Sequence, residues 1–207
     1  DPSILSENEN WLFPYFIDPS NGNFNFSFHS FLLKTPDYNI LVDTCVGNDK
    51  ARPLPQWNMR RGNYLEKIDN HVNVNEIDYV MCTHLHADHV GWNTRLENGS
   101  WVPTFPNAKY IFSKADYDHF NRVKSGEPGY QSMIDSVQPI VDAGQALIVG
   151  NDFNIGEEVS LLPTPGHTPG HYCVHIDSGN NSAILSGDLI HHPLQIARPD
   201  WRTNFCS

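Results

Sequence analysis

At 207 residues with 39% hydrophobic content, the chain is sized for a single domain, 1–207, that packs its own core without disulfide staples. Its 13 basic and 24 acidic residues give a formal charge of −11 with no block of lysine or arginine, which argues against nucleic acid or an anionic membrane surface as partner. No apolar run approaches the roughly 20 residues that span a bilayer, and Cys45, Cys82, Cys173 and Cys206 are scattered, form no Cys-x-x-Cys pair and read as buried free thiols.

Such cysteines and the lack of a signal peptide favour the cytoplasm, although a first residue of Asp1 leaves a trimmed chain and a removed export signal open. Residues 1–23 form an N-terminal arm or loop, with the aromatic run Trp11 to Ile17 broken by Pro14 and followed by the turn-like Asp18-Pro19-Ser20-Asn21-Gly22-Asn23. Three fates stand open for it: walling a substrate pocket, docking on a second subunit in a homodimer, or covering the sheet edge or core. From Phe24 to Val46 the alternation Phe24, Phe26, Phe28, then Phe31-Leu32-Leu33, a turn at Thr35-Pro36-Asp37 and Ile40-Leu41-Val42 predict the two strands of a hairpin. Gly47 to Asn63, rich in Pro, Arg and Asn, reads as a loop, and Tyr64 to Ile68 as a short helix before a strand at 77–82.

That strand runs into Thr83-His84-Leu85-His86-Ala87-Asp88-His89, with three histidines and one aspartate inside six residues. Residues two apart share a side of an extended chain but diverge by about 200° on a helix, so His84 and His86 can share an ion only if the segment stays extended. Imidazole nitrogen and carboxylate oxygen suit zinc or a similar first-row ion, and Asp88 and His89 would then face a second one. The bland alternative is a polar loop of solvated histidines with Asp88 capping a helix.

Further on, Asn98-Gly99 between strand-like flanks signals a type I′ hairpin that carries Trp92, Trp101 and Phe105 away from the motif. These rings either line an apolar substrate site or pack onto the fold. Lys109 to Phe112 reads as a strand, Lys114 to Arg122 as a helix, Gly126 to Gly129 as a flexible connection and Tyr130 to Val137 as another helix. Strands follow at 146–149, 159–162, 172–176 and 183–185. The loop 163–171, stiffened by three prolines and freed by two glycines, suits accurate presentation of one side chain, His167. Asn39 to Thr44 and Ser182 to Asp188 echo one another as apolar strands that end in aspartate.

The Thr83–His89 motif, followed in order by Pro163-Thr164-Pro165-Gly166-His167-Thr168-Pro169-Gly170-His171 and Ser186-Gly187-Asp188-Leu189-Ile190, resembles the signature of the metallo-β-lactamase-fold hydrolases. The resemblance covers about Phe24 to Ile190, and up to Trp201 it is nearest in look to the branch of methyl parathion hydrolase and the quorum-quenching lactonases. It implies an α/β fold, a four-layer αββα sandwich of two similar halves with metals at their shared edge. Carried over by position, His84, His86 and His167 would bind the first ion, Asp88 and His89 the second, and Asp188 would bridge both. Asp88 is also the catalytic candidate to accept or pass on a proton. Asp43 would support the metal loop or be a plain turn aspartate, His171 would be structural or supporting, and Trp92 is a substrate candidate. His29, His71, His119 and His175 read as surface or core residues.

The implied cofactors are two divalent ions, zinc first, and the implied reaction is attack of metal-activated water on a small ester-like substrate. Lactone and aryl ester come ahead of organophosphate. A glyoxalase II-like thioesterase is the alternative enzyme, and a catalytically silent truncated relative the alternative of another class. One departure stands out: the family draws a further histidine from well beyond the bridging aspartate, and none follows His192 here. The second half therefore reads as incomplete at the C-terminus, with substitution by His191 or His192, or a weakly held or missing second ion, as the other readings.

Overall fold

Period-two alternation sorts the side chains of each strand onto two faces, and those faces build the layers. The computed structural model describes residues 2–203, so the thiol of Cys206 lies outside the described residues. In chain order the elements are α1 (Pro2–Glu7), α2 (Glu9–Leu12), β1 (Phe31–Lys34), β2 (Asn39–Val42), α3 (Tyr64–Asp69), β3 (Tyr79–Met81), β4 (Thr94–Glu97), β5 (Ser100–Pro103) and β6 (Lys109–Ser113). Then come α4 (Lys114–Phe120), α5 (Tyr130–Ser132), a π-helical turn (Met133–Val137), α6 (Gln138–Asp142), β7 (Ala146–Val149), β8 (Asn154–Ile155), β9 (Val159–Pro163), β10 (Tyr172–Ser178), β11 (Asn181–Leu185) and α7 (Leu194–Ala197).

A mixed sheet runs in the order β1-β2-β3-β6-β7, with β2, β3, β6 and β7 parallel, and an antiparallel sheet runs β11-β10-β9-β8. On one face of the mixed sheet Leu41, Val80, Tyr110 and Phe112 pack against Ile68, Phe120, Val137 and Ile140 of the helical layer. On the other face Ile40, Val42, Met81 and Ile111 pack against Ile155, Val159, Tyr172 and Val174 of the antiparallel sheet. The described residues thus supply three of the four expected layers. On the outer face of the antiparallel sheet Leu162 and Ile184 remain exposed, and α7 instead sets Leu194 against Ile4, Leu12 and Ile17. Among the described residues no helix is long and apolar enough to cross a membrane.

Several local expectations change. The arm is helical where a loop was expected, because Ile4 and Leu12 find a buried partner in Leu194. Phe24, Phe26 and Phe28 form no strand beyond an isolated bridge from Phe24 to Ile17. Phe31 pairs with Val42, the last residue of β2, and the next residue, Asp43, turns away with φ +57°. The residues before Phe31 therefore have no partner edge, and the three rings stay about half exposed. The helix expected to stop at Val137 continues to Asp142, with Pro139 in the first turn of α6, where a missing N–H is tolerated. The hairpin formed as read, with Asn98 and Gly99 at φ +50° and +80° as a type I′ turn requires. Cys45 is half-buried in the loop after β2, whereas Cys82 and Cys173 are buried.

Candidate metal centre

The parallel strands deliver their C-terminal ends to one edge, where open α/β sheets commonly place ligands. Asp43 leaves β2 there and residues 83–90 leave β3. Backbone bonds tie them, Thr44 N donating to His89 O at 2.7 Å and Tyr172 N to Thr83 O at 3.0 Å. The second of these bonds brings the proline-rich loop, and with it His167, over the cluster.

His84 Nε2 lies 3.0 Å from His86 Nδ1, which lies 2.8 Å from His167 Nε2. Such spacings approach the edge of a tetrahedron with bonds of about 2.0 Å, roughly 3.3 Å. Burial, followed by neighbouring imidazoles, pushes His84 well below the usual histidine range, and burial takes His86 and His167 to about 4. All three are neutral at pH 7 and present lone pairs.

Asp188 stands between this trio and its neighbours. Its Oδ2 is 3.5 Å from His167 Nε2, 3.9 Å from His84 Nε2 and 3.3 Å from His191 Nε2, while Oδ1 is 3.4 Å from His89 Nε2. Asp88 Oδ2 lies 3.5 Å from the same His89 nitrogen. Burial works against the charged forms here, yet Asp43 and Asp88 hold His89 well above the usual range, and His191 and His89 hold Asp188 far below its own. Three carboxylates focused on one buried imidazole, beside three neutral ones, form a donor set that suits divalent cations. Three groups can each close on one ion: His84 with His86 and His167, His84 with His89 and Asp188, and His167 with Asp188 and His191.

The supports are as specific as the donors. Asp43 accepts Thr83 N at 2.8 Å and Thr83 Oγ1 at 2.9 Å, and its Oδ2 meets His89 Nδ1 at 2.9 Å, which aims the far nitrogen of His89 at the cluster. His171, lowered to about 4 by burial, accepts Asp188 N on Nε2 at 3.0 Å while Nδ1 meets Thr164 Oγ1 at 2.8 Å. Gly187, at φ +52°, threads the gap between them: a Cβ there would lie 2.8 Å from Thr83 Oγ1 and 2.9 Å from His171 Nε2.

Sequence reasoning missed Asp116. Fully buried in the first turn of α4, it accepts Leu85 N at 3.1 Å, Thr168 Oγ1 at 2.9 Å and Gly170 N at 2.6 Å, joining the loop of His84 to the loop of His167. An aspartate early in a helix reads as a favourable terminal charge, and nothing in its neighbours signals burial.

A cavity of about 1070 Å³ opens over His86, Asp88, His89, His167 and Asp188. Its walls are apolar: Tyr15 and Phe16 from the arm, Phe26 and Phe28 from the unpaired stretch, and Leu54 and Trp57 from the loop before α3. His29 also faces it, although no motif marked that residue. Trp92 does not. It is buried and stacks on Tyr64 with ring centroids 5.4 Å apart, so packing has taken the ring expected to be a substrate contact. Phe105 is likewise fully buried, and Trp101 covers Lys50. His191 joins the cluster and His192 does not, since His192 Nε2 turns to the Phe16 carbonyl at 3.0 Å. His71, His119 and His175 join no ligating group among the described residues.

The family model described as the metallo-beta-lactamase superfamily matches residues 27–204. An N-acyl homoserine lactonase of Bacillus sp is 26% identical over 168 residues, covering 75% of this chain and 60% of the relative, so the chain spans about 60% of that curated protein's length. Among solved structures, the hydrolase AbOPH superposes with a TM-score of 0.75 at 21% identity, covering 97% of this chain and 69% of the other. AidC, a dizinc quorum-quenching lactonase in complex with a product, superposes with a TM-score of 0.74 at 23% identity, covering 99% and 68%. At these identities the two structures establish the shared fold.

Proposed function

Because the chain belongs to the metallo-β-lactamase superfamily, we propose that it is a metal-dependent hydrolase of small neutral esters, lactones first and aryl esters next. The observation that carries this reading is the Asp188 carboxylate, with Oδ2 within 3.9 Å of His84, His167 and His191 and Oδ1 3.4 Å from His89, on the floor of an apolar cavity. His84, His86 and His167 would hold one ion, Asp88 and His89 the second, and Asp188 both, with His191 beside it as a further donor. Zinc is the ion this donor set favours. When bound, divalent cations supply Lewis acidity, making water acidic enough to attack near neutral pH and drawing charge from an acyl oxygen.

The chain's own residues do the rest. Asp88, which faces the cavity, is held deprotonated despite burial by His89, and so can take the proton of the attacking water and hand it to the leaving oxygen. Asp43 and His171 keep His89 and the Asp188 backbone in register. The aromatic walls exclude bulk water and hold the apolar part of the substrate. No lysine or arginine is among the described residues that line the cavity, so away from the metal-binding floor a carboxylate or phosphate on the substrate would find no counter-charge. That favours neutral lactones and aryl esters over thioesters of anionic thiols. The Bacillus relative is named for N-acyl homoserine lactones, neutral molecules with an apolar tail, and the apolar walls of this cavity would suit such a tail.

The test is metal counting together with turnover. Purified chain loaded with zinc, manganese or iron is expected to hold two equivalents and to hydrolyse lactones or aryl esters faster than thioesters or phosphotriesters. A chelator abolishes this activity and Asp188→Ala does not recover it on reloading. One equivalent or none, with no turnover of any of the four classes, would show a silent relative instead.

A further inference from the structure

Residues 50–59 wall the cavity with Leu54 and Trp57, yet they contain neither helix nor strand and most of them are exposed. Their ends are drawn together by Met59 N to Lys50 O at 2.8 Å and Asp49 N to Arg60 O at 3.0 Å. Two side chains break the pattern of exposure. Those of Lys50 and Arg52 are 0% and 2% exposed, and both end on Asp135 in the π-helical turn.

The contacts are specific. Arg52 Nη1 and Nη2 fork onto Asp135 Oδ2 and Oδ1 at 2.6 and 2.9 Å. Lys50 Nζ reaches the Asp135 carbonyl at 3.0 Å, its Oδ1 at 3.4 Å and Thr94 Oγ1 at 2.9 Å, and lies 3.7 Å from the centroid of Trp101. Thr94 Oγ1 donates to the same carbonyl, and Ser136 Oγ donates to Oδ1 at 2.6 Å. Burying two cations is costly unless each is paired, and a single carboxylate in a helical rod serves both. Such π turns recur where a helix must present an unusual group, and this one presents a carboxylate and a carbonyl to one ammonium.

We infer that Asp135 is a positioning residue: through Lys50 and Arg52 it fixes residues 50–59 as a wall of the cavity and so sets how tightly the apolar part of a substrate is held. The kinetic half of this inference rests on the hydrolase reading, and the structural half does not. Bond cleavage itself is left to the groups around Asp188.

The test uses the full, metal-loaded chain with Asp135→Asn, the milder Arg52→Lys and, as a wall truncation, Trp57→Ala. Two measurements are made: amide hydrogen exchange over 50–59 against 79–89, and steady-state kinetics on 4-nitrophenyl acetate and 4-nitrophenyl decanoate. Asp135→Asn is expected to raise exchange over 50–59 by about tenfold while 79–89 is unchanged, and to raise KM for the decanoate about tenfold with kcat within about twofold and acetate KM little altered. Arg52→Lys should act in the same direction and more weakly, which keeps the test open if Asp135→Asn does not fold. Trp57→Ala should raise the decanoate KM without raising exchange. Unchanged exchange over 50–59 overturns the inference, and so does a parallel fall of kcat on both esters at constant KM. If the wild type cleaves neither ester, the aryl-ester part of the hydrolase reading fails separately, and the exchange measurement alone decides whether Asp135 holds the loop.

Discussion

The carboxylate of Asp116 accepts the amide hydrogen of Gly170 at 2.6 Å, and through its other oxygen that of Leu85 at 3.1 Å. One buried side chain thus spans the loops that carry His84 and His167. Asp116→Ala leaves two buried amides and the Thr168 hydroxyl without this acceptor, at about 1–3 kcal/mol for each group left unsatisfied. The expected result is a stability loss of at least about 3 kcal/mol by urea denaturation, together with weaker zinc binding in a competition titration. Full zinc affinity in a folded variant would show that the two loops are held by something else.

Asp43 does for His89 what Asp116 does for the loops. Its Oδ2 meets His89 Nδ1 at 2.9 Å, which leaves Nε2 facing Asp88 and Asp188. In Asp43→Asn the amide oxygen can still accept one donor, but the amide nitrogen must then face another donor. The second equivalent of metal should bind about 10–100-fold more weakly, with the first little changed. Equal loss of both equivalents would place Asp43 in the fold of the loop rather than in the aim of His89.

The cluster was legible because its information is local. His84, His86, Asp88 and His89 sit at fixed offsets on a chain that leaves a strand extended, and the two later stretches matched the same signature. What the sequence concealed lies in tertiary partners. Asp116 reads as a helix-terminal acid until Gly170 and Leu85 close on it. Lys50 and Arg52 read as loop charges until Asp135 meets them from 85 and 83 residues away. The alternation of Phe24, Phe26 and Phe28 is a strand pattern, but a strand needs an edge, and β2 ends opposite Phe31. His191 and His192 are indistinguishable as letters; the Phe16 carbonyl takes one and the cluster the other.

Lys50 gives stability an unusual pH dependence. Burial lowers its ammonium from 10.5 to about 8, against the raising effect of Asp135. Below about 8 both the folded and unfolded chain carry this proton, and the cost of burying the charge is fully present. Between about 8 and 10.5 the unfolded chain keeps the proton that the folded chain has released, so stability rises with pH in this window. Relative to Lys50→Met, which cannot titrate, the wild type should gain on the order of 2–3 kcal/mol between pH 7 and pH 10.5 in urea denaturation. A gap between the two proteins that does not change with pH would mean that the ammonium is solvated.

Trp92 separates core from cavity wall. It is 7% exposed and lies stacked at 12° on Tyr64, whose hydroxyl meets Ser30 Oγ at 2.6 Å, and it is absent from the residues that line the cavity over Asp188. Truncation removes a large ring from a packed site, which costs about 3–5 kcal/mol when the surroundings cannot collapse. Trp92→Ala should therefore lower the thermal midpoint by many degrees while KM for lactones and aryl esters, measured well below that midpoint, stays within about twofold of wild type. Trp57→Ala should do the opposite, since Trp57 faces the cavity and is only half-buried. A raised KM in Trp92→Ala at unchanged stability would return this tryptophan to the substrate site.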